Sequence, residues 1–123
     1  MSNKPGLRQR LGLEAFRAKR QQQKESHELR TLFWECTLRC NVACRHCGSD
    51  CRACVEQADM PKEDFLRVID SITPHVDTHR VFIIFTGGEP LMRKDLEICG
   101  RELYRREYPW GIVTNGLHLS RQR

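Results

Sequence analysis

Three segments of the chain have the composition of β-strands. Val81–Phe85 is a continuous apolar run of strand length, and Leu29–Thr37 and Trp110–Thr114 combine aromatic, aliphatic and β-branched residues. A continuous apolar run is typical of a parallel strand that is covered on both faces. We therefore predict three strands and expect Val81–Phe85 to be buried on both sides.

Two helices are predicted between these strands. The first begins at Pro61, in what would be its first turn, and ends before Pro74. Its apolar residues recur at helical spacing and define one buried face: Phe65, Val68, Ile69 and Ile72. The second helix covers Arg93–Tyr108, and Pro109 ends it. Its apolar stripe consists of Leu96, Cys99 and Leu103. Strands and helices that alternate in this way favour right-handed crossovers and a parallel α/β sheet.

Residues 1–28 form a basic extension ahead of the domain that begins at residue 29. Residues 1–30 carry eight Lys or Arg against three Glu, which equals the formal net charge of +5 of the whole chain. A surface helix is predicted over Leu7–Gln23, followed by a polar linker. Such a basic segment attracts acidic partners, or it is a solvated helix that adds solubility.

Composition excludes several classes of protein. Of the 123 residues, 39% are hydrophobic and 30% charged, which is typical of one globular domain and not of a disordered chain. No apolar run is long enough to span a bilayer, and the polar start does not resemble a signal peptide. We expect a cytoplasmic protein without a membrane span. In a reducing compartment, seven cysteines favour metal binding or catalysis over disulfides.

Each predicted strand is followed by an irregular segment with chemically distinctive residues. The cysteine-rich stretch 40–54 follows the first strand, Thr86–Pro90 the second and Thr114–Gly116 the third. Parallel α/β sheets bind ligands at the carboxyl ends of their strands, and those ends share one edge. The sequence therefore predicts one site that is built from all three segments.

The C-x3-C-x2-C spacing of Cys40, Cys44 and Cys47 favours an iron–sulfur cluster. Cysteine thiolates hold such clusters, and three ligands from one loop leave the fourth iron of a 4Fe–4S cluster open to a small molecule. Zinc is the alternative, because Cys44 and Cys47 form one C-x2-C pair and Cys51 and Cys54 form another. Zinc sites of that type usually separate the pairs by about 12–20 residues, a longer spacing than this chain has. The roles of Cys51 and Cys54 stay open.

The remaining cysteines and the nearby arginines have simpler interpretations. Cys36, near a strand end, and Cys99, on a helix stripe, are predicted to be small buried hydrophobic residues. Three arginines lie within or next to the cysteine-rich stretch and either offset the negative charge of a cluster or are solvated: Arg39, Arg45 and Arg52.

These motifs resemble those of the radical S-adenosylmethionine (radical SAM) enzymes. Cys40–Cys47 after a strand resembles the family's cluster-binding signature, and Thr86–Pro90 after the next strand resembles its second motif, Gly-Gly-Glu-Pro. Thr114–Gly116 is similar to a third landmark of the branch that modifies peptides and proteins or makes cofactors. Trp34–Cys40, followed by Cys-Gly-Ser-Asp-Cys, resembles the subgroup related to the peptide maturases, the SPASM-associated branch.

The resemblance implies a complete or partial (β/α) barrel in which Cys40, Cys44 and Cys47 ligate three irons of a 4Fe–4S cluster. The open iron would bind S-adenosylmethionine (SAM), and an electron from the cluster would cleave it to a 5′-deoxyadenosyl radical that abstracts a substrate hydrogen. The resemblance also assigns residues to SAM: Gly87, Gly88 and Glu89 at its amino group, His46 near the adenine, and Asn115 on the adjacent wall. It assigns no catalytic residue.

On this resemblance we expect an enzyme of the α/β class, with a helical extension followed by the N-terminal portion of a barrel over residues 29–123. Two β–α units and a strand occupy about 85 residues, so a six-unit barrel would need roughly 200 or more. The expected partners are a peptide or protein substrate and an electron donor such as flavodoxin or ferredoxin, and not nucleic acid. The alternatives are a non-catalytic zinc or iron–sulfur module with a basic arm, and an inactive fragment of the enzyme.

Overall fold

A parallel three-stranded sheet forms the centre of the molecule. The computed structural model describes residues 6–49, 51–52 and 56–119. Strands β1 (Thr31–Thr37), β2 (Phe82–Gly87) and β3 (Trp110–Ile112) lie in the order β1-β2-β3 and are parallel to one another. The predicted α/β class and the parallel sheet are therefore confirmed. β3 is shorter than the predicted Trp110–Thr114, and β2 continues through Gly87 into the segment that was predicted to end it.

Three helices accompany the sheet: α1 (Leu7–Ser26), α2 (Lys62–Ile72) and α3 (Leu96–Arg105). Short 3-10 turns cover residues 73–75, 78–80 and 90–92. The predicted helix Arg93–Tyr108 was too long at both ends. Its C-terminus comes earlier because Glu107 has a left-handed backbone conformation, with φ of 62°. Pro109 therefore follows a turn that has already ended the helix.

The core lies between one face of the sheet and helices α2 and α3. Trp34 of β1 stacks on Phe65 of α2 with ring centroids 3.8 Å apart, and Phe85 of β2 meets both rings edge-on. Such aromatic pairs contribute about 0.5–1.5 kcal/mol beyond the area they bury. The stripe predicted for α3 is confirmed, since all of its members are buried: Leu96, Cys99 and Leu103.

The buried face of α2 differs from the prediction in one position. Phe65 and Ile69 are buried, but Val68 is 46% exposed, and Leu66 packs against the core in its place. On a helical wheel Val68 lies about 65° and Leu66 about 95° from the mean direction of Phe65, Ile69 and Ile72, so periodicity favours Val68. The packing of α2 on the sheet buries Leu66 instead.

The second face of the sheet is not covered by any of the described residues. Along β2, Ile83 and Phe85 are fully buried, whereas Phe82 is 42% exposed. Phe33 of β1 and Val113 beyond β3 are exposed on the same side as Phe82. The expectation that Val81–Phe85 is buried on both sides is therefore wrong within the described residues, because α2 and α3 both pack on one face.

Helix α1 is exposed to solvent along its whole length. It has no buried residue, and the apolar side chains of Leu7, Leu11 and Phe16 are each more than 60% exposed. The helix ends at His27, which has a left-handed backbone conformation. Within residues 6–49, 51–52 and 56–119, no helix is both long and apolar enough to cross a bilayer.

A buried arginine joins the end of β1 to the start of α3. The Arg93 guanidinium donates to the carbonyl oxygens of Cys36 at 2.6 Å and Met60 at 3.1 Å, and to both carboxylate oxygens of Asp95 at 2.8 and 2.9 Å. It also lies over the Trp34 ring, 4.9 Å from its centroid. Because Cys36 precedes the cysteine-rich stretch and Met60 follows it, Arg93 ties both ends of that stretch to α3.

Replacing Arg93 by alanine should lower the free energy of unfolding by about 3 kcal/mol, because the change leaves the buried Cys36 carbonyl oxygen, the partly buried Met60 carbonyl oxygen and a partly buried carboxylate without their donor. Arg101→Ala is the matched control, since it removes only an exposed pair with Glu97 and should cost at most about 0.5 kcal/mol. Urea unfolding monitored by circular dichroism measures both. Equal losses in the two variants would contradict the role given to Arg93.

Candidate metal and cofactor site

The chain segments beyond β1 and β2 approach each other too closely for side chains to fit between them. The Gly88 N–H donates to the Thr37 carbonyl oxygen at 2.7 Å, and the Glu89 N–H donates to that of Arg39 at 2.8 Å. A Cβ atom at Gly87 or Gly88 would overlap those same two carbonyl oxygens, and Gly87 has φ of 124°. The close approach of the neighbouring chain segment therefore requires glycine at both positions by itself. The sequence analysis had linked these glycines to the binding of a ligand.

The cysteine loop, residues 38–52, is closed at its base by a short parallel bridge. The Cys40 N–H donates to the Arg52 carbonyl oxygen at 2.9 Å, and the Arg52 N–H donates to that of Leu38 at 3.3 Å. Within the loop, the Cys47 N–H donates to the Cys44 carbonyl oxygen at 3.2 Å and closes a turn. Over its described residues, 40–49 and 51–52, the stretch predicted to be irregular is therefore a loop with a fixed base.

The three predicted cluster ligands are accessible on this loop. Cys44 and Cys47 are exposed, Cys40 is half-buried, and His46 between them is exposed. None of the described cysteines forms a disulfide. In the described part of the chain, no three His, Cys, Asp or Glu side chains are arranged to hold a single metal ion. The donor set fits an iron–sulfur cluster by its chemistry, because three thiols on one accessible loop are the ligands that such clusters use.

Among the described cysteines of the loop, Cys51 is the buried one. Its side chain is 7% exposed, and its thiol donates to the Ser49 carbonyl oxygen at 3.6 Å. Burial raises the pKa of the Cys51 thiol, and the nearby thiols of Cys47 and Cys40 raise it further. Cys54, its partner in the second C-x2-C pair, lies outside the described residues.

The buried Glu89 carboxylate joins the segment after β2 to the segment after β3. Its Oε1 accepts from the Leu91 N–H at 2.9 Å and from the Thr114 hydroxyl at 2.7 Å, while Oε2 accepts from the Asn115 N–H at 2.8 Å. The resemblance assigned this carboxylate to the amino group of a ligand. The structure places it against donors of the chain itself, with no solvent exposure.

Asn115 extends this network to the cysteine loop. Its Nδ2 donates to Oδ1 of Asn41 at 2.8 Å, and its own Oδ1 accepts from the Leu117 N–H at 3.0 Å. Asn41 directly follows Cys40, so all three segments predicted to share one edge are in contact. Sequence reasoning missed Asn41, because a polar residue in a loop carries no signal of a partner 74 positions away.

The charges beside the loop are partly compensated. Arg39 forms an ion pair with Asp59, with 2.5 Å between Nη2 and Oδ2, and Arg45 is exposed. The charge of Arg39 is therefore balanced by a carboxylate before any cluster is considered. Asp59 lies close to Met60 on the segment that Arg93 anchors, so this pair also ties the loop base to the fold.

Cys36 and Cys99 are buried residues of the core, as predicted. Burial raises the pKa of the Cys36 thiol to about 12 and that of the Cys99 thiol to about 11. Neither residue lies on the cysteine loop.

Comparisons with known proteins show a match to one family model and to several enzymes. Residues 34–123 match the model of the Radical SAM superfamily. The chain is 37% identical over 67 residues to the AdoMet-dependent heme synthase of Oleidesulfovibrio alaskensis, covering 54% of this chain and 16% of that protein. It is 30% identical over 91 residues to the Fe-coproporphyrin III synthase of Methanosarcina barkeri, covering 74% and 22%.

A third similar protein is a peptide cyclase. The chain is 32% identical over 90 residues to the PqqA peptide cyclase of Granulibacter bethesdensis, covering 72% of this chain and 23% of that protein. The chain thus spans less than a quarter of the length of each of these three relatives. No solved structure matches the chain at a significant level.

Glu89→Gln should lower the free energy of unfolding by about 1–3 kcal/mol. In either orientation the amide NH2 faces a backbone N–H, that of Leu91 or that of Asn115, which then loses its acceptor. Urea unfolding measures the loss, and faster hydrogen exchange at Leu91 or Asn115 would locate it. Glu97→Gln on the exposed face of α3 is the control and should change stability by at most about 0.5 kcal/mol. An unchanged stability of Glu89→Gln would show that the buried network does not need the carboxylate.

Alkylation of the reduced, metal-free protein by iodoacetamide at pH 8 should modify Cys44 and Cys47 first. Cys36 and Cys99 should react only after unfolding in urea, because both are buried and the thiolate is the nucleophile. A pKa of about 12 for Cys36 and about 11 for Cys99 lowers the thiolate fraction roughly a thousandfold and a hundredfold from that of an exposed cysteine. Peptide mass spectrometry identifies the order. Early modification of Cys36 would contradict its place in the core.

Proposed function

The chain belongs to the radical SAM superfamily, and on that premise we propose that Cys40, Cys44 and Cys47 ligate a 4Fe–4S cluster and that SAM binds beside it. The observation that carries this proposal is the contact of three segments at one edge of the sheet. The cysteine loop meets Asn115 through Asn41, and the buried Glu89 carboxylate fixes Asn115 in turn.

The chain's own residues suit the binding of SAM at this edge. When bound and reduced, the cluster would supply the electron for cleavage of SAM to methionine and a 5′-deoxyadenosyl radical, and that radical would abstract a hydrogen atom from the substrate. The Gly87 and Gly88 backbone lies between the cysteine loop and the segment after β3, where it can face the amino group of SAM. Glu89 acts there by holding Asn115 in position. His46, which is exposed and lies between Cys44 and Cys47 in sequence, is the residue assigned to the adenine.

A peptide or protein is the proposed substrate class. Its support is the similarity to a PqqA peptide cyclase, together with the motifs that resemble the SPASM-associated branch. A porphyrin is the second candidate, favoured by the similarity to a heme synthase and to an Fe-coproporphyrin III synthase. SAM cleavage that is stimulated by porphyrins and not by peptides would select the second candidate.

An acidic electron donor, such as flavodoxin or ferredoxin, is the proposed redox partner in a cytoplasmic setting. Its support is the basic helix α1, whose Lys and Arg side chains are exposed. Attraction between α1 and such a donor would weaken as salt rises, because the Debye length is only about 8 Å at physiological ionic strength.

Anaerobic reconstitution tests the ligand assignment. Cys40→Ala, Cys44→Ala and Cys47→Ala should each lose the cluster, because each removes one of three thiolates that hold it. Cys36→Ala and Cys99→Ala are matched controls and should keep it, because their thiols lie in the core. Quantitation of iron, sulfide and zinc, with the visible absorbance, distinguishes a brown iron–sulfur protein from a colourless zinc protein. Full iron and sulfide in any of the three loop variants would overturn the assignment.

A further inference from the structure

A hydrogen bond between two asparagine side chains connects the segments that follow β1 and β3. Asn115 Nδ2 donates to Oδ1 of Asn41 at 2.8 Å, and we call this contact the asparagine bridge. The strand order is β1-β2-β3, so β2 lies between the two strands that these segments follow. Because adjacent strands are about 4.8 Å apart, the bridge joins segments that start roughly two strand spacings from each other, beyond the carboxyl end of β2.

The direction of the asparagine bridge is fixed by the backbone. The Leu117 N–H donates to Oδ1 of Asn115 at 3.0 Å, and a backbone N–H can only donate. Oδ1 of Asn115 therefore faces Leu117, and Nδ2 of Asn115 faces Asn41. Because that Nδ2 is a donor, position 41 must supply an acceptor, and a side chain without one breaks the bridge.

Both ends of the asparagine bridge are attached to the candidate site. The Asn115 N–H donates to the buried Glu89 carboxylate at 2.8 Å. Asn41 directly follows Cys40, whose N–H donates to the Arg52 carbonyl oxygen at the loop base at 2.9 Å. The bridge therefore links the residue next to a proposed cluster ligand to the carboxylate that joins the segments after β2 and β3.

We propose that Asn41 is a positioning residue, which sets the Cys40 end of the cysteine loop against the segment after β3 through the asparagine bridge. This inference rests on the proposed function, since it concerns how SAM meets a cluster on that loop. The bridge holds the segments on either side of the end of β2 at a fixed separation. SAM then binds to an edge that is already ordered, so less conformational freedom is lost on binding.

Hydrogen exchange in the reduced, metal-free protein tests the bridge without any cluster. Asn41→Ala should speed exchange of the Asn115 N–H by about 2- to 10-fold, the factor that corresponds to the net free energy of one hydrogen bond. Asn41→Asp should keep the original rate, because its carboxylate still accepts from Asn115 Nδ2. Unchanged exchange in Asn41→Ala, or equally fast exchange in Asn41→Asp, would overturn the inference.

Ser49→Ala is the matched control for the exchange measurement. It removes another exposed side-chain hydrogen bond of the cysteine loop, the one from the Ser49 hydroxyl to the Glu35 carboxylate at 3.2 Å. That bond leads to β1 and not to the segment after β3, so exchange of the Asn115 N–H should stay unchanged. Faster exchange at Asn115 in this variant would show a general loosening of the loop and would count against a specific role of Asn41.

Binding of SAM to the anaerobically reconstituted protein tests whether the bridge acts on the site. The change that SAM causes in the EPR spectrum of the reduced cluster gives the Kd of SAM. Asn41→Ala should keep its iron and sulfide and raise this Kd by about 2- to 10-fold. Asn115→Ala should raise it as well, and the double variant should bind no more weakly than Asn115→Ala, because both changes break the same bond.

An unchanged Kd in Asn41→Ala would overturn the inference. Losses of affinity that add in the double variant would also overturn it, because Asn41 would then act on SAM independently of Asn115. A lack of iron or of SAM binding in the unaltered chain would overturn the proposed function and this inference with it, and that outcome is seen before any variant is compared.

Discussion

The close approach of the backbone beyond β1 to the backbone beyond β2 is the constraint on which the site depends. Two hydrogen bonds from Gly88 and Glu89 to the Thr37 and Arg39 carbonyl oxygens continue the pairing past the last strand residues. This pairing directs the chain so that the Glu89 carboxylate is buried, where it meets donors from the segment after β3. Any side chain at Gly87 or Gly88 would separate the strands and remove the support of that carboxylate.

The cysteine loop has a base that is fixed by the fold and a tip that is accessible to solvent. Arg93 and the Arg39–Asp59 pair hold the chain where it enters and leaves the cysteine loop, and the parallel bridge at Arg52 closes its base. At the tip, by contrast, Cys44 and Cys47 are exposed. Binding groups that stand on a fixed base keep their geometry, while exposure of the thiols lets a cofactor reach them.

Residues of the Gly-Gly-Glu-Pro motif stabilise the fold, in addition to the role in ligand binding that is proposed for them. The glycines permit strand approach, and Glu89 uses both carboxylate oxygens to bind neighbouring segments. These buried hydrogen bonds stabilise the arrangement of the site before a ligand binds. The same network positions Asn115 against Asn41. The residues that would contact a ligand at this edge are therefore already in place before it binds.

The sequence alone determined the α/β class, the order of the strands and helices, the apolar stripe of α3 and the three segments at one edge, because periodicity, breaker residues and motif spacing are local properties. The ends of β2 and β3 were decided by the structure. It also identified Cys36 and Cys99 as core residues. Tertiary structure alone decided which flank of α2 is buried, since helical periodicity favours Val68 and the structure buries Leu66. It also decided which face of β2 the helices cover. It likewise decided the partners of Glu89 and of Asn41, because hydrogen bonds between residues far apart in sequence depend on how the strands are placed next to one another.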